Sequence, residues 1–147
     1  MSKGDIAKQN FLKGYNCCQA VALAFKDEMG FSEEDIKKLT IGFGGGMARL
    51  RLTCGAVSGM AMVLSYLLSD GADKGYIYSV IQNACADFKA ETGSVICAEM
   101  LSGEILKDKS AIPQERTAEY YKKRPCADLC YLAATIAEKY IAAGVKK

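Results

Sequence analysis

The spacing of apolar residues predicts helices along the whole chain. The last segment shows this most clearly, because apolar residues from Cys126 to Ile141 recur every three or four positions, as on one face of an α-helix. The segment from Cys17 to Met29 is apolar on nearly all sides, which predicts a central helix. No stretch alternates apolar and polar residues convincingly, so no β-strand is predicted.

Capping residues and glycines divide this pattern into separate helices. Asn16 is followed three residues later by Gln19, which is a capping-box pattern, and Ser32 precedes an acidic first turn. Gly30 and Gly93 stand where helices are expected to end. The predicted fold is therefore all-α: a compact bundle of five to seven helices.

Length and charge narrow the organisation and the partners. The chain has 147 residues, which suit one domain of ordinary size, and the predicted domain covers residues 2–147. Nineteen basic residues oppose 17 acidic ones without a basic stripe or an acidic tail, so neither nucleic acid nor an anionic membrane is the expected partner. A polar segment, 102–116, is long for a loop, and the sequence leaves its role open.

The chain has no predicted membrane span or secretory signal. Its longest uncharged stretch, residues 52–69, is diluted by glycine, serine and threonine, which favours a buried helix over a membrane span. The first ten residues carry charges throughout and lack an apolar centre. We therefore expect a cytoplasmic protein, in which thiols stay reduced unless they are catalytic or bind metal.

The chain has no histidine and seven cysteines. The missing histidine excludes Ser–His and Cys–His catalytic pairs and every histidine metal ligand. No C-x-x-C pair occurs, and the number of cysteines is odd, so the local pattern supports neither a thioredoxin-type pair nor a closed disulfide framework. Redox or metal chemistry must come from cysteines that are distant in sequence.

Four cysteines fall at predicted helix starts, behind Asn16, Thr53, Ser94 and Pro125. They are Cys17, Cys54, Cys97 and Cys126. The first turn of a helix presents unpaired N–H groups and the positive end of the helix dipole, which both favour thiolate over thiol. These four are the predicted metal ligands or, without metal, the redox thiols, whereas core packing is the expected role of Cys18, Cys85 and Cys130.

A glycine-rich segment precedes Cys54 and contains Gly44, Gly45 and Gly46. It matches neither a Walker loop nor a dinucleotide fingerprint. Its glycines allow positive φ and close backbone approach, so its N–H groups could bind an anion or a cluster, with Arg49 and Arg51 adding positive charge. A flexible turn with solvated arginines is the alternative.

Several segments of the chain together resemble the C_GCAxxG_C_C family of bacterial and archaeal proteins, which are described as redox-active. The segments are GYNCCQAV (14–21), FGGG (43–46), CGAVSG (54–59), CAEML (97–101) and CADL (126–129). The resemblance covers nearly the whole chain in order, and it places the family's four cysteines at the four positions named above. It implies a redox or cluster-binding role without specifying a reaction.

Three functions remain open at this point. The first is electron transfer by an iron–sulfur cluster, most simply 2Fe–2S, with four thiolate ligands; zinc would fit the same ligand count without redox chemistry. The second is metal-free thiol–disulfide exchange or redox sensing, for example by Cys54 with Cys17 or Cys126. The third is a helical packing or partner-binding module. The electron donor or acceptor protein is unknown, and a homodimer is one open alternative.

Overall fold

The computed structural model describes residues 1–144, except for the side chain of Glu104, and these residues form nine α-helices and two short 3₁₀ helices. The α-helices are α1 (Lys3–Leu12), α2 (Cys17–Leu23), α3 (Lys26–Met29), α4 (Glu33–Thr40), α5 (Gly55–Leu68), α6 (Lys74–Thr92), α7 (Cys97–Met100), α8 (Ala118–Lys122) and α9 (Cys126–Ala143). The 3₁₀ helices are Ile41–Phe43 and Gly103–Lys107.

The all-α prediction is confirmed, with two more helices than the predicted upper number. One arises because the helix predicted over Cys17–Met29 divides into α2 and α3. The turn between them closes with short-range bonds, in which the N–H of Phe25 donates to the carbonyl of Ala22 at 3.0 Å, and it buries the Phe25 ring. The other is α8, a helix of five residues. The end of the predicted domain, 145–147, lies outside the described residues.

Helix α2 forms the centre of the bundle, as its sequence predicts, and every one of its residues is buried. It packs against α1, α5 and α9, while α1 and α5 also pack against α9. Glycines permit the close approach of α5, because a Cβ on Gly59 would lie 2.9 Å from the carbonyl oxygen of Cys18. At the start of α5, a Cβ on Gly55 would lie 3.1 Å from the Cβ of Cys17. The first turns of α2 and α5 are therefore neighbours.

The capping pattern is confirmed at some helix starts and wrong at others. The capping box at Asn16 is present. Thr53 does not cap α5, because it pairs with Ile96 in an isolated antiparallel bridge, and Cys54 becomes the N-cap. Ser94 does not cap α7, because its hydroxyl accepts a bond from the N–H of Ile96 at 2.9 Å, ahead of the helix.

Within residues 1–144, none of the helices is both long and apolar enough to cross a membrane. The uncharged stretch 52–69 contains α5, which has 14 residues. Its inner positions, Met60, Val63 and Leu64, are fully buried in the bundle, as the sequence predicts.

Candidate functional site

The loop between the first 3₁₀ helix and α5 has an unusual backbone. Five consecutive residues, Gly45 to Arg49, have φ values between 48° and 73°, and Arg51 has φ 63°. Left-handed backbone costs a residue with a side chain about 1–2 kcal/mol. Hydrogen bonds within the loop offset this cost. The N–H of Arg49 donates to the carbonyl of Gly44 at 3.0 Å, and the N–H of Leu52 donates to the carbonyl of Gly46 at 2.8 Å. The backbone of the loop is thus held by several internal hydrogen bonds.

This loop brings Cys54 and Cys97 together. The N–H of Cys54 donates to the carbonyl of Val95 at 2.8 Å, and the N–H of Cys97 donates to the carbonyl of Leu52 at 2.6 Å. The two bonds flank the antiparallel bridge between the segments. Two cysteines that are 43 positions apart in sequence are therefore fixed at adjoining helix starts.

The other two predicted cysteines meet where α2 and α9 begin. Cys17 and Cys126 are the first residues of these helices, and their thiols are close enough to shift each other's pKa. Cys130, one turn further along α9, donates from its thiol to the carbonyl of Cys17 at 3.8 Å. Cys130 therefore lies beside Cys17 and Cys126. Its spacing of one helical turn from Cys126 could have suggested this position.

All the predicted site residues line one cavity of about 360 Å³. They are Cys17, Cys54, Cys97, Cys126, Gly44, Gly45, Gly46, Arg49 and Arg51. Cys18, Cys85 and Cys130 are not among the lining residues. Gly44 packs directly against Asn16, because a Cβ added to Gly44 would lie 2.6 Å from the Cβ of Asn16. The glycines are needed for close packing around the cavity.

The two predicted arginines occupy different environments. Arg49 is bonded through its guanidinium to the Asp108 carboxylate at 2.9 Å and to the carbonyl of Ser110 at 2.6 Å. The hydrogen bond from the Arg49 guanidinium holds the pKa of the Asp108 carboxyl group well below its ordinary range, at about 2. Arg51 is only 4% exposed and donates to the carbonyl of Asp108 at 3.1 Å. The polar segment 102–116 is therefore attached to the site by both arginines.

The wall of the cavity also contains three residues that the sequence analysis did not name as candidates: Arg116, Tyr120 and Arg124. The guanidinium groups of Arg116 and Arg124 lie over the ring of Tyr120, at 4.8 Å and 4.3 Å from its centre. Arg116 also donates to the carbonyls of Phe11 at 3.0 Å and Tyr15 at 2.9 Å. The run of aromatic and basic residues before Cys126 was the available signal for Tyr120 and Arg124, whereas no local signal distinguished Arg116.

Burial, not the helix starts, determines the state of these thiols. Burial raises the pKa of Cys54 to about 12, although the backbone N–H groups of Val57 and Ala56 lower it. It also raises the pKa of Cys97, where the nearby Arg51 opposes the shift. The prediction that helix starts hold these cysteines as thiolates is wrong for the chain alone, because removal from water penalises the charged form more than the helix ends stabilise it.

At the pair on α2 and α9, contacts between thiols contribute more than burial. The contact with the Cys126 thiol lowers the pKa of Cys17, but the contact with Cys130 and burial raise it well above its usual range. For Cys126, the contact with the Cys17 thiol and, after it, burial both raise the pKa. Both thiols are therefore neutral near pH 7 in the chain alone.

The thiols surround the cavity and do not converge on one point. Among the described residues, no three Cys, Asp or Glu side chains gather closely enough to hold a single metal ion. All seven cysteines are free thiols. The arrangement offers four sulfur ligands to a group with several atoms, or one pair of neighbouring thiols, Cys17 and Cys126, to an oxidant.

A comparison with known protein families gives a match over most of the chain. The family described as "Putative redox-active protein (C_GCAxxG_C_C)" matches residues 15–140, which include all four cavity cysteines. Searches of the curated proteins and of the solved structures gave no match.

Proposed function

Since the chain belongs to the C_GCAxxG_C_C family of redox-active proteins, we propose that it transfers electrons through an iron–sulfur cluster. Cys17, Cys54, Cys97 and Cys126 would be the ligands. The observation that supports this proposal is the presence of these four thiols, from four separate segments, around one cavity of about 360 Å³. A cluster of the 2Fe–2S type has the matching number of ligands.

The donor set and its surroundings fit such a group. Thiolates are the ligands that iron–sulfur clusters use, and they also bind zinc. A single zinc ion needs four ligands at about 2.3 Å from one point, and the described cysteines do not gather in that way. A multi-atom cluster can reach thiols spread around a cavity. Binding would require the thiols to lose their protons, which the basic side chains of the wall favour.

The proposal also covers the partner and the location. One-electron transfer requires a donor or acceptor protein, whose identity the chain does not indicate. A cytoplasmic location, expected from the sequence, would keep the thiols reduced and available as ligands. The proposal leaves the oligomeric state open between a monomer and a homodimer.

Metal and sulfide analysis tests this function. Protein isolated or reconstituted without oxygen should contain iron and acid-labile sulfide and absorb visible light through sulfur-to-iron charge transfer. Cys54→Ala should remove most of this absorption, whereas Cys85→Ala should retain it, because Cys85 lies in α6 away from the cavity. Stoichiometric zinc without sulfide, or no metal in folded protein, would overturn the electron-transfer proposal.

The proximity of the Cys17 and Cys126 thiols at the starts of α2 and α9 favours a second candidate, thiol–disulfide exchange. In this reaction the two thiols would give two protons and two electrons to an external disulfide, forming one S–S bond and reducing the oxidant to two thiols. A mass loss of two hydrogens in the peptide pair containing these cysteines would support it. The buried, protonated state of both thiols slows such an attack. If neither metal nor disulfide forms, the packing-module hypothesis is the one that survives.

A further inference from the structure

Arg51 is a buried cation inside the cavity wall. Its side chain donates to the carbonyl of Asp108 and interacts with the Cys97 thiol, and its Nε has no hydrogen-bond acceptor among the described residues. No described carboxylate forms an ion pair with it, while Arg49 beside it has the carboxylate of Asp108. A buried charge without a counter-charge is strongly destabilising. The fold therefore retains Arg51 in the wall of the cavity, although its burial lowers the stability of the protein.

The backbone fixes Arg51 in this position. Its N–H donates to the carbonyl of Gly45 at 3.1 Å, and its own carbonyl accepts from the N–H of Ala98 in α7 at 3.2 Å. These bonds hold it at φ 63°, in a region that residues with side chains seldom adopt. Backbone strain of this kind persists where the surrounding structure enforces it, and it is frequent at functional sites.

The other cavity arginines differ from Arg51 in burial and in partners. Arg116 and Arg124 are only partly buried and stack on Tyr120. Arg124 also bonds to the side chain of Gln114. Partly exposed charges are screened by water, whereas a buried charge acts at short range through a low dielectric. Arg51 lies beside Cys97 and acts on that thiol more strongly than Arg124 does, whereas Arg124 and Arg116 act on Cys126.

We propose that Arg51 is the positioned counter-charge of the redox site, which stabilises its reduced form and raises its reduction potential. The inference rests on the proposed function. Reduction adds one electron from the donor protein and forms no new bond, so the site becomes more negative by one charge. A fixed cation with a free Nε donor interacts more strongly with that form than with the oxidised one. Arg51 is a positioning residue and is not itself oxidised or reduced.

The midpoint potential of the loaded protein tests this role. Arg51→Gln should lower the equilibrium constant for reduction at least tenfold, which is about 59 mV for one electron. Arg124→Gln removes the same formal charge from the partly exposed wall and should lower the potential less. Arg51→Lys should recover part of the shift. Equal potentials for Arg51→Gln and wild type, or equal shifts for Arg51→Gln and Arg124→Gln, would overturn the proposal.

A second measurement uses the metal-free protein, so its result does not depend on the proposed cluster. Arg51→Met should melt at or above the wild-type temperature, because it removes a buried charge that lacks a counter-charge. Inorganic phosphate, compared with chloride at equal ionic strength, should stabilise the wild type more than Arg51→Met. If Arg51→Met melts lower and phosphate has no selective effect, Arg51 is a packing residue and the inference fails. If only the wild-type cluster fails to assemble, the proposed function fails instead.

Discussion

Gly46 lies directly against Cys97, because a Cβ added to Gly46 would stand 2.6 Å from the Cβ of Cys97. The same Cβ would lie 2.7 Å from the backbone nitrogen of Leu52. Gly46 also has φ 73°. Steric space and backbone conformation thus both require glycine where the loop meets one of the four cavity cysteines.

The first prediction follows from this contact. Gly46→Ala should destabilise the protein by several kcal/mol, because the new methyl group clashes with backbone as well as with Cys97 and is added at a left-handed position. Gly30→Ala is the matched control, since Gly30 also has φ 73° but has nothing within 4 Å of an added Cβ. It should cost only about 1–2 kcal/mol. Urea unfolding of both variants measures the difference, and equal costs would contradict the packing argument.

Much of the helical framework could be predicted because its signals are local. The capping box at Asn16 and the left-handed Gly30 and Gly93 lie where the sequence places them. The grouping of Cys17, Cys54, Cys97 and Cys126 could be anticipated from their similar helix-start positions. Their meeting at one cavity depends on which helices pack together, and only the three-dimensional structure shows this.

The parts that sequence reasoning missed are long-range or energetic. Nothing near Arg49 indicates that its partner is Asp108, 59 positions away, and nothing near Arg116 indicates its bond to Phe11. The prediction that Cys54 is a thiolate was wrong for a related reason. A helix start is visible in sequence, but burial is a property of the assembled bundle, and here burial dominates the pKa.

The second prediction concerns thiol reactivity. In the native metal-free protein, Cys85 should react with iodoacetamide before the four cavity cysteines, because it is the one half-buried cysteine and the others are buried. The buried thiols are also held protonated, and the thiolate is the reactive form. Mass spectrometry of tryptic peptides over time measures the order. Rapid alkylation of Cys17 or Cys126 would contradict it and would favour the exchange reaction; urea-unfolded protein is the control, in which all cysteines should react alike.

The third prediction concerns the polar segment 102–116, whose residues Ala111, Pro113 and Gln114 line the cavity. Asp108→Asn should weaken the attachment of this segment to Arg49 and speed tryptic cleavage at Lys109 severalfold, because the ion pair at 2.9 Å loses its negative partner. Asp128→Asn is the control, since the exposed ion pair of Asp128 with Lys8 joins α9 to α1 and does not involve the segment. Cleavage can be followed by mass spectrometry. Unchanged cleavage in Asp108→Asn would show that other contacts hold the segment.

The last prediction is a loss of stability at alkaline pH in the metal-free protein. Burial raises the pKa of Cys18 from 9.0 to about 12, so between these values the unfolded chain loses a proton that the folded chain retains. The unfolded state then binds fewer protons, and the free energy of unfolding falls as pH rises, by up to about 1.4 kcal/mol per pH unit for each such thiol. This contribution is fully present below pH 9.0 and is lost progressively as pH rises towards 12.

Chemical unfolding from pH 8 to 11 under a phosphine reductant measures this slope. Cys18→Ala should flatten it by about one thiol's share, whatever the variant costs at neutral pH through its cavity. Cys85→Ala should flatten it less, because the Cys85 thiol is half-buried and its pKa is raised by a smaller desolvation. A wild-type stability that stays constant over this range, or equal slopes for the wild type and Cys18→Ala, would mean that these thiols ionise equally in both states and that burial does not hold them protonated.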